Sequence, residues 1–216
     1  MTDRPPPREA LGALTRILAI RHGETAWNAD KRLQGHTDVP LNALGRAQAE
    51  RLGVALSGEP VDAIYSSDLS RARDTAEPAA RALGLPILLE PALRERGFGA
   101  FEGHTYAQIE ERWPEGAQAW RRRDPDFAAP GGETLLRFQA RCVEAVMRLA
   151  DRHPGQTIVI VSHGGVLDAL YRKASRAGIQ APRTWQLANA AINRLLVADA
   201  GLMLVGWNDG QHLEGL

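Results

Sequence analysis

Thr157-Ile158-Val159-Ile160-Val161-Ser162 most constrains how this chain can fold. It is a continuous apolar, β-branched run with no alternation of polar residues. Such a run suits a strand covered on both faces, and strands of that kind belong to parallel sheets flanked by helices. Thr15-Arg16-Ile17-Leu18-Ala19-Ile20 reads as a second short buried strand. Strands are also expected at 62–66 and 86–89, and a β-hairpin at 192–197 and 202–207 around Asp199-Ala200-Gly201.

Helical patterns fall between these strands. Asn42 is placed to cap a helix running to Leu56, and a helix from Leu69 to about Leu83 stops at Gly84. Leu135, Phe138, Cys142, Val143, Val146 and Leu149 repeat at helical spacing, which predicts a long helix to Arg152 behind a Thr134 cap. Strands alternating with helices predict a three-layer α/β/α sandwich with a mostly parallel central sheet. Between them, 106–113 and 117–123 are expected as short helices separated by Pro114.

The chain of 216 residues suits one domain over 15–216, with a cap-like insertion around 98–132 and a proline-rich, disordered tail over 1–14. A formal net charge of +0 provides no global field for nucleic acid or an acidic membrane surface. Any anion site must therefore be built locally. The single cysteine, Cys142, falls in an apolar helical pattern and is expected as a buried small hydrophobe in a reducing compartment, which points to the cytoplasm. Monomer and homodimer are both open.

The chemistry concentrates where two strands end. The first runs into Arg21-His22-Gly23-Glu24-Thr25 and the strongest into Ser162-His163-Gly164-Gly165. One strand-end histidine is commonplace and could be structural. Two, each followed by glycine, on neighbouring parallel strands would face one pocket at the sheet edge that binds ligands in open α/β folds. Arg71 opens the helix after the second strand, and Arg forks match phosphate oxygens. Glu95 sits in Leu93-Arg94-Glu95-Arg96-Gly97-Phe98-Gly99, a charged, glycine-containing loop. His36 and His104 show no familiar zinc spacing with the other histidines, so no metal site is expected. Arg121-Arg122-Arg123 reads as a solvated helix end, and Trp113, Trp120, Trp185 and Trp207 as packing residues.

Taken in order, Arg21 to Asn28, Gln34-Gly35, Ser67 to Ala72, Leu93 to Gly99 and Ser162 to Gly165 resemble the motif blocks of the histidine phosphatase superfamily, the phosphoglycerate mutase-like proteins. The resemblance spans most of the chain. It implies that His22 is the nucleophile that becomes phosphohistidine, and that Arg21, Arg71 and His163 bind the transferring phosphoryl group. It makes Glu95 the proton donor, and Thr25, Asn28, Gln34, Gly35 and Gly164 further substrate contacts. It implies no cofactor and a small phosphorylated substrate. Pro130 to Thr134 and His163 to Val166 look like the phosphatase branch. A cofactor-dependent phosphoglycerate mutase and a non-catalytic phospholigand-binding protein are the alternatives. Arginines and a second histidine beside His22 should favour its unprotonated form. The Gly23 turn should let a carbonyl hold the Nδ1–H tautomer and free Nε2.

Overall fold

The computed structural model describes residues 14–216. The expected tail, 1–14, lies almost wholly outside these. In chain order the elements are β1 (Thr15–Arg21), α1 (Ala26–Ala29), α2 (Ala43–Leu56), β2 (Ala63–Ser66), α3 (Ser70–Leu83), β3 (Ile87–Leu89), α4 (Tyr106–Arg112), α5 (Pro114–Arg121), α6 (Leu135–Asp151), β4 (Thr157–Ser162), α7 (Gly164–Ser175), β5 (Ile192–Ala198) and β6 (Gly201–Asp209).

One six-stranded sheet runs β3-β2-β4-β1-β5-β6. β1 to β4 are mutually parallel where they pair, and β5 and β6 are antiparallel. All six residues of β4 are buried, as its unbroken apolar run requires.

Alternation along the strands builds two cores. Ile17, Ala19, Ile158 and Ile160 pack with Phe138, Cys142, Val146 and Leu149 of α6 and Val166 and Leu170 of α7. Leu18, Ile20, Val159 and Val161 pack with Leu52 and Leu56 of α2 and Ala72, Ala76 and Ala79 of α3. The period of two along a strand thus sends neighbouring residues into opposite helix layers, giving the three-layer sandwich. Cys142 is fully buried, and burial pushes its thiol well above the usual range. It behaves as a small hydrophobe.

The caps expected from sequence form. Asn42 Oδ1 accepts from Gly45 N at 2.8 Å, and the Thr134 hydroxyl accepts from Arg137 N at 3.2 Å. α3 ends on Gly84 at φ 66°, where a side chain would be strained. α2 and α3 approach so closely that a Cβ on Gly53 would lie 2.8 Å from Pro78 Cβ.

The segment above the sheet edge has its own small core of Phe101, Ile109, Ala117 and Ala129, covered by Phe98, Trp113, Trp120 and Phe127. Here the second short helix starts at Pro114 and not at Ala117, and it ends at Arg121. Proline at the first helical position lacks only an N–H that has no partner there anyway, so Pro114 begins this helix where it was expected to interrupt one.

Candidate active site

β1 and β4 pair with Arg21 opposite Ser162. The next residue on each strand is therefore a histidine at the same level of the sheet edge. The His22 and His163 rings lie 5.2 Å apart between centroids, inclined at 58°. His22 N–H donates to Ser162 O at 2.8 Å, so the ladder continues to the point where the chain turns.

The turn is built around Gly23. Its N–H donates to the Thr75 hydroxyl at 2.8 Å, and a Cβ there would come within 2.5 Å of Gly45 O. Its carbonyl oxygen lies 2.7 Å from His22 Nδ1. An acceptor at that nitrogen requires Nδ1–H in the neutral ring, and Nε2 carries the free lone pair. Burial first, then the charges of Arg21 and Arg71, hold the His22 pKa well below 6.5, against the smaller opposing effect of the Gly23 carbonyl. The sequence reading named the arginines and a histidine. Desolvation is the larger cause.

A cavity of about 620 Å³ opens over this ring. Arg21, His22, Asn28, Gln34, Arg71, Glu95 and Gly164 all stand on its wall. Arg71 is fully buried, its Nη1 donating to Thr37 O at 2.9 Å and its Nη2 to Gly35 O at 2.8 Å. Arg21 Nη1 donates to Leu187 O at 2.6 Å. Burial lowers the pKa of both guanidinium groups. Among the described residues only carbonyls fix them and neither pairs with a carboxylate, so both charges remain available to an anion.

Glu95 is pinned by the backbone. Arg96 N–H donates to Oε1 and Gly165 N–H to Oε2, each at 2.9 Å. A Cβ on Gly165 would stand 2.1 Å from Oε1, so only glycine admits the carboxyl group so close to the start of α7. The neighbouring Arg94 is occupied elsewhere, its Nε donating to Asp68 Oδ1 at 2.7 Å.

Three expected substrate contacts are placed differently. The Thr25 hydroxyl and Asn28 form a reciprocal cap on α1, and Thr25 is fully buried off the cavity wall. Its hydroxyl orients Asn28 instead. Gly35 is also off the wall, at φ 55°, and its carbonyl holds Arg71. His163 is fully buried behind the wall, with Nε2 2.9 Å from the Ser67 hydroxyl and Nδ1 lacking a partner. It packs beside His22 without reaching the cavity in this structure.

Other residues were missed. Asn189 donates to His22 O at 2.8 Å, and Lys31, Arg32, Arg183, Trp185, Gln186 and Leu187 line the cavity. Trp185, expected as packing, both stacks on Tyr171 at 4.0 Å and faces the cavity. Arg123 is not a solvated helix end. It sits in the left-handed region at φ 53° and donates to Asp168 Oδ2 at 2.8 Å and Ile179 O at 2.7 Å. Ser67 follows the end of β2 and was open to the same strand-end argument as the histidines. The stretch from 178 to 191 carries no periodicity, so nothing in it pointed to a wall of the site. Among the described residues, no group of three or more His, Cys, Asp or Glu side chains could hold a metal ion.

The family model of the histidine phosphatase superfamily (branch 1) matches residues 17–210. The chain belongs to that superfamily. It is 40% identical over 203 residues to phosphoglycerate mutase-like protein 4 of Arabidopsis thaliana, covering 92% of this chain and 86% of the relative. It is 36% identical to the metal-independent phosphoserine phosphatase of the same plant, covering 94% and 85%. Among solved structures, Bacillus stearothermophilus YhfR superposes with a TM-score of 0.86 at 32% identity, covering 93% of this histidine phosphatase and all of that chain.

Proposed function

We propose that this member of the superfamily is a metal-independent phosphomonoester hydrolase that acts through phosphohistidine on a small phosphorylated metabolite. One observation carries the reading: His22 is held by Gly23 O in the tautomer that frees Nε2, beside the guanidinium groups of Arg21 and buried Arg71, neither of which has an acidic partner among the described residues. Similarity to a metal-independent phosphoserine phosphatase supports it.

In the first half-reaction Nε2 attacks phosphorus and the bond to the leaving oxygen breaks. Glu95 supplies the proton that oxygen takes up. In the second, water attacks the phosphorus, the P–N bond breaks, and the Glu95 carboxylate accepts the water's proton. His22 is regenerated and inorganic phosphate leaves. Arg21 and Arg71 stabilise the charge spread over the equatorial oxygens, which is most of what phosphoryl transfer asks of a protein. Asn28, Gln34 and Gly164 line the phosphoryl end of the cavity, and His163 with Ser67 packs His22 in place.

The described residues contain no helix long and apolar enough to cross a membrane. The unpaired, buried Cys142 supports a reducing, cytoplasmic setting. We read 15–216 as one domain whose 98–132 segment caps the pocket, working as a monomer or homodimer without nucleic acid or membrane partners.

The mutase reading draws on the name of the 40% identical relative. It requires a bisphosphoglycerate primer and little loss of phosphate to water. The test is turnover of an aryl phosphate with chelator present, together with quenching in alkaline detergent to trap labelled phosphoenzyme, part of which is then treated with acid. Hydrolysis unaffected by chelator, with an acid-labile label absent from His22→Ala, is the expected result. Primer-dependent isomerisation outrunning hydrolysis would establish the mutase, and tight phosphate binding without turnover a binding protein.

A further inference from the structure

Arg71 is aimed from outside the pocket. Its Nη2 donates to Gly35 O and its Nη1 to Thr37 O. Gly35 O and His36 N–H are the two ends of one peptide group, and a trans peptide points them in opposite directions. On the far side of that peptide stands Glu102, whose Oε1 accepts from His36 N–H at 3.0 Å. Guanidinium, peptide and carboxylate therefore form one chain of hydrogen bonds, polarised in a single sense from Arg71 to Glu102.

Glu102 holds more than this one peptide. Its Oε2 accepts from Thr37 N–H at 3.0 Å and from the Thr37 hydroxyl at 2.6 Å. Its Oε1 also accepts from Phe98 N–H at 3.0 Å, in the loop that carries Glu95. His36 ties the same two loops a second time, with Nε2 2.8 Å from Glu95 O. A Cβ on Gly35 would lie 2.0 Å from Glu102 Oε1, so glycine alone admits the carboxylate so close to the loop. Glu102 itself is not on the cavity wall. Its charge still reaches Arg71: burial lowers the pKa of that guanidinium, and the carboxylates of Glu95, Asp38 and Glu102 oppose the shift.

We propose that Glu102 is a positioning residue for phosphoryl transfer. Through the Gly35–His36 peptide it fixes the carbonyl that aims the Arg71 fork, and through Phe98 N–H it locks that loop to the one bearing Glu95. This rests on the hydrolase reading above. A carboxylate with a solely structural role would change stability, and its removal would cost the same whichever side chain stood at position 71.

The test is a double-mutant cycle on hydrolysis of an aryl phosphate. Glu102→Gln keeps the outline of the side chain but loses one acceptor oxygen and sets an NH2 group against N–H donors. It should lower kcat by about tenfold or more and change KM by no more than about threefold, because the Arg71 charge stays while its aim is lost. In the Arg71→Lys background, which has no fork to aim, the same change should cost less than about threefold. Thr37→Val removes only the hydroxyl donor. It should give a smaller loss with the same dependence on Arg71, and it decides the outcome if Glu102→Gln does not fold. Calorimetry of inorganic phosphate on the same proteins reads the coupling without turnover. Glu102→Gln should weaken Kd by about threefold with Arg71 present and leave it unchanged in the Arg71→Lys background. Losses that simply multiply in the double variant, or a wild-type kcat in Glu102→Gln, overturn the proposal and leave the hydrolase reading intact. Phosphate binding that depends on Glu102 only when Arg71 is present, in a protein without turnover, refutes the hydrolase reading and leaves the positioning role.

Discussion

The Gly23 carbonyl oxygen lies 2.7 Å from Nδ1 of His22, the residue immediately before it. A single turn of backbone thereby selects the tautomer of the ring it follows. His22→Ala should lower kcat/KM for any phosphomonoester by at least roughly a thousandfold and abolish the acid-labile phosphoenzyme. Steady-state kinetics and alkaline-quench labelling, read before and after acid treatment, measure both.

Gly23→Ala tests the turn itself. The added methyl carbon would meet Gly45 O at 2.5 Å, and Gly45 has no room to retreat, because a Cβ there would already lie 2.0 Å from Glu24 O. A loss of roughly 1–3 kcal/mol in denaturant unfolding is expected, with a fall in kcat. Unchanged stability would show that the close contact relaxes freely.

Arg71 is held by two carbonyls through separate nitrogens. Lysine cannot reproduce that fork. Arg71→Lys is therefore expected to lose about 100-fold or more in kcat/KM, the scale of removing one preorganised donor from a transition state. Near-wild-type kinetics for Arg71→Lys would mean that only charge is needed there.

Glu95→Gln keeps the outline of the side chain but only one of the two acceptor oxygens that take Arg96 N–H and Gly165 N–H. It removes the transferable proton. Alkyl phosphates, whose leaving oxygen needs that proton, should slow by roughly 10²–10⁴-fold. An activated aryl phosphate should slow much less in its first step. Equal losses for both would argue against proton donation.

pH acts on stability through the buried rings. Burial first, then Arg71, His22 and Arg21, hold His163 well below 6.5, as burial and the two arginines do for His22. In the unfolded chain both titrate near ~6.5. Below that pH the unfolded state binds more protons, so stability falls as pH drops from about 6.5 through the folded-state values. Above it both rings are neutral in either state and add no slope. The melting temperature should decline from pH 7 to pH 5, and less steeply in His22→Gln/His163→Gln. In kcat/KM, His22 should produce no acid limb at 6.5.

The sheet was legible because its strands are short apolar runs that end in punctuation. Thr157–Ser162 before His163-Gly164 and the run before His22-Gly23 needed only periodicity and strand-end logic. Family motifs added Arg71 and Glu95, which local pattern alone leaves as surface charges. What stayed hidden was anything set by tertiary contact. The Thr25 hydroxyl is claimed by Asn28, His163 is sealed against Ser67, and Arg123 reaches Asp168 on another helix. The wall carrying Arg183 and Trp185 comes from chain without periodicity, so only the folded backbone reveals its place.

The pairing of Arg21 with Ser162 reaches well beyond those two residues. Side chains alternate across a strand, so a one-residue slide of β1 on β4 would invert which layer each apolar side chain enters and part the two imidazoles. Ile20 and Val161, paired one step deeper and fully enclosed, guard against that slide. The fidelity of the chemistry is thus stored in the interior ladder, and damage there would silence the enzyme with every reactive group intact.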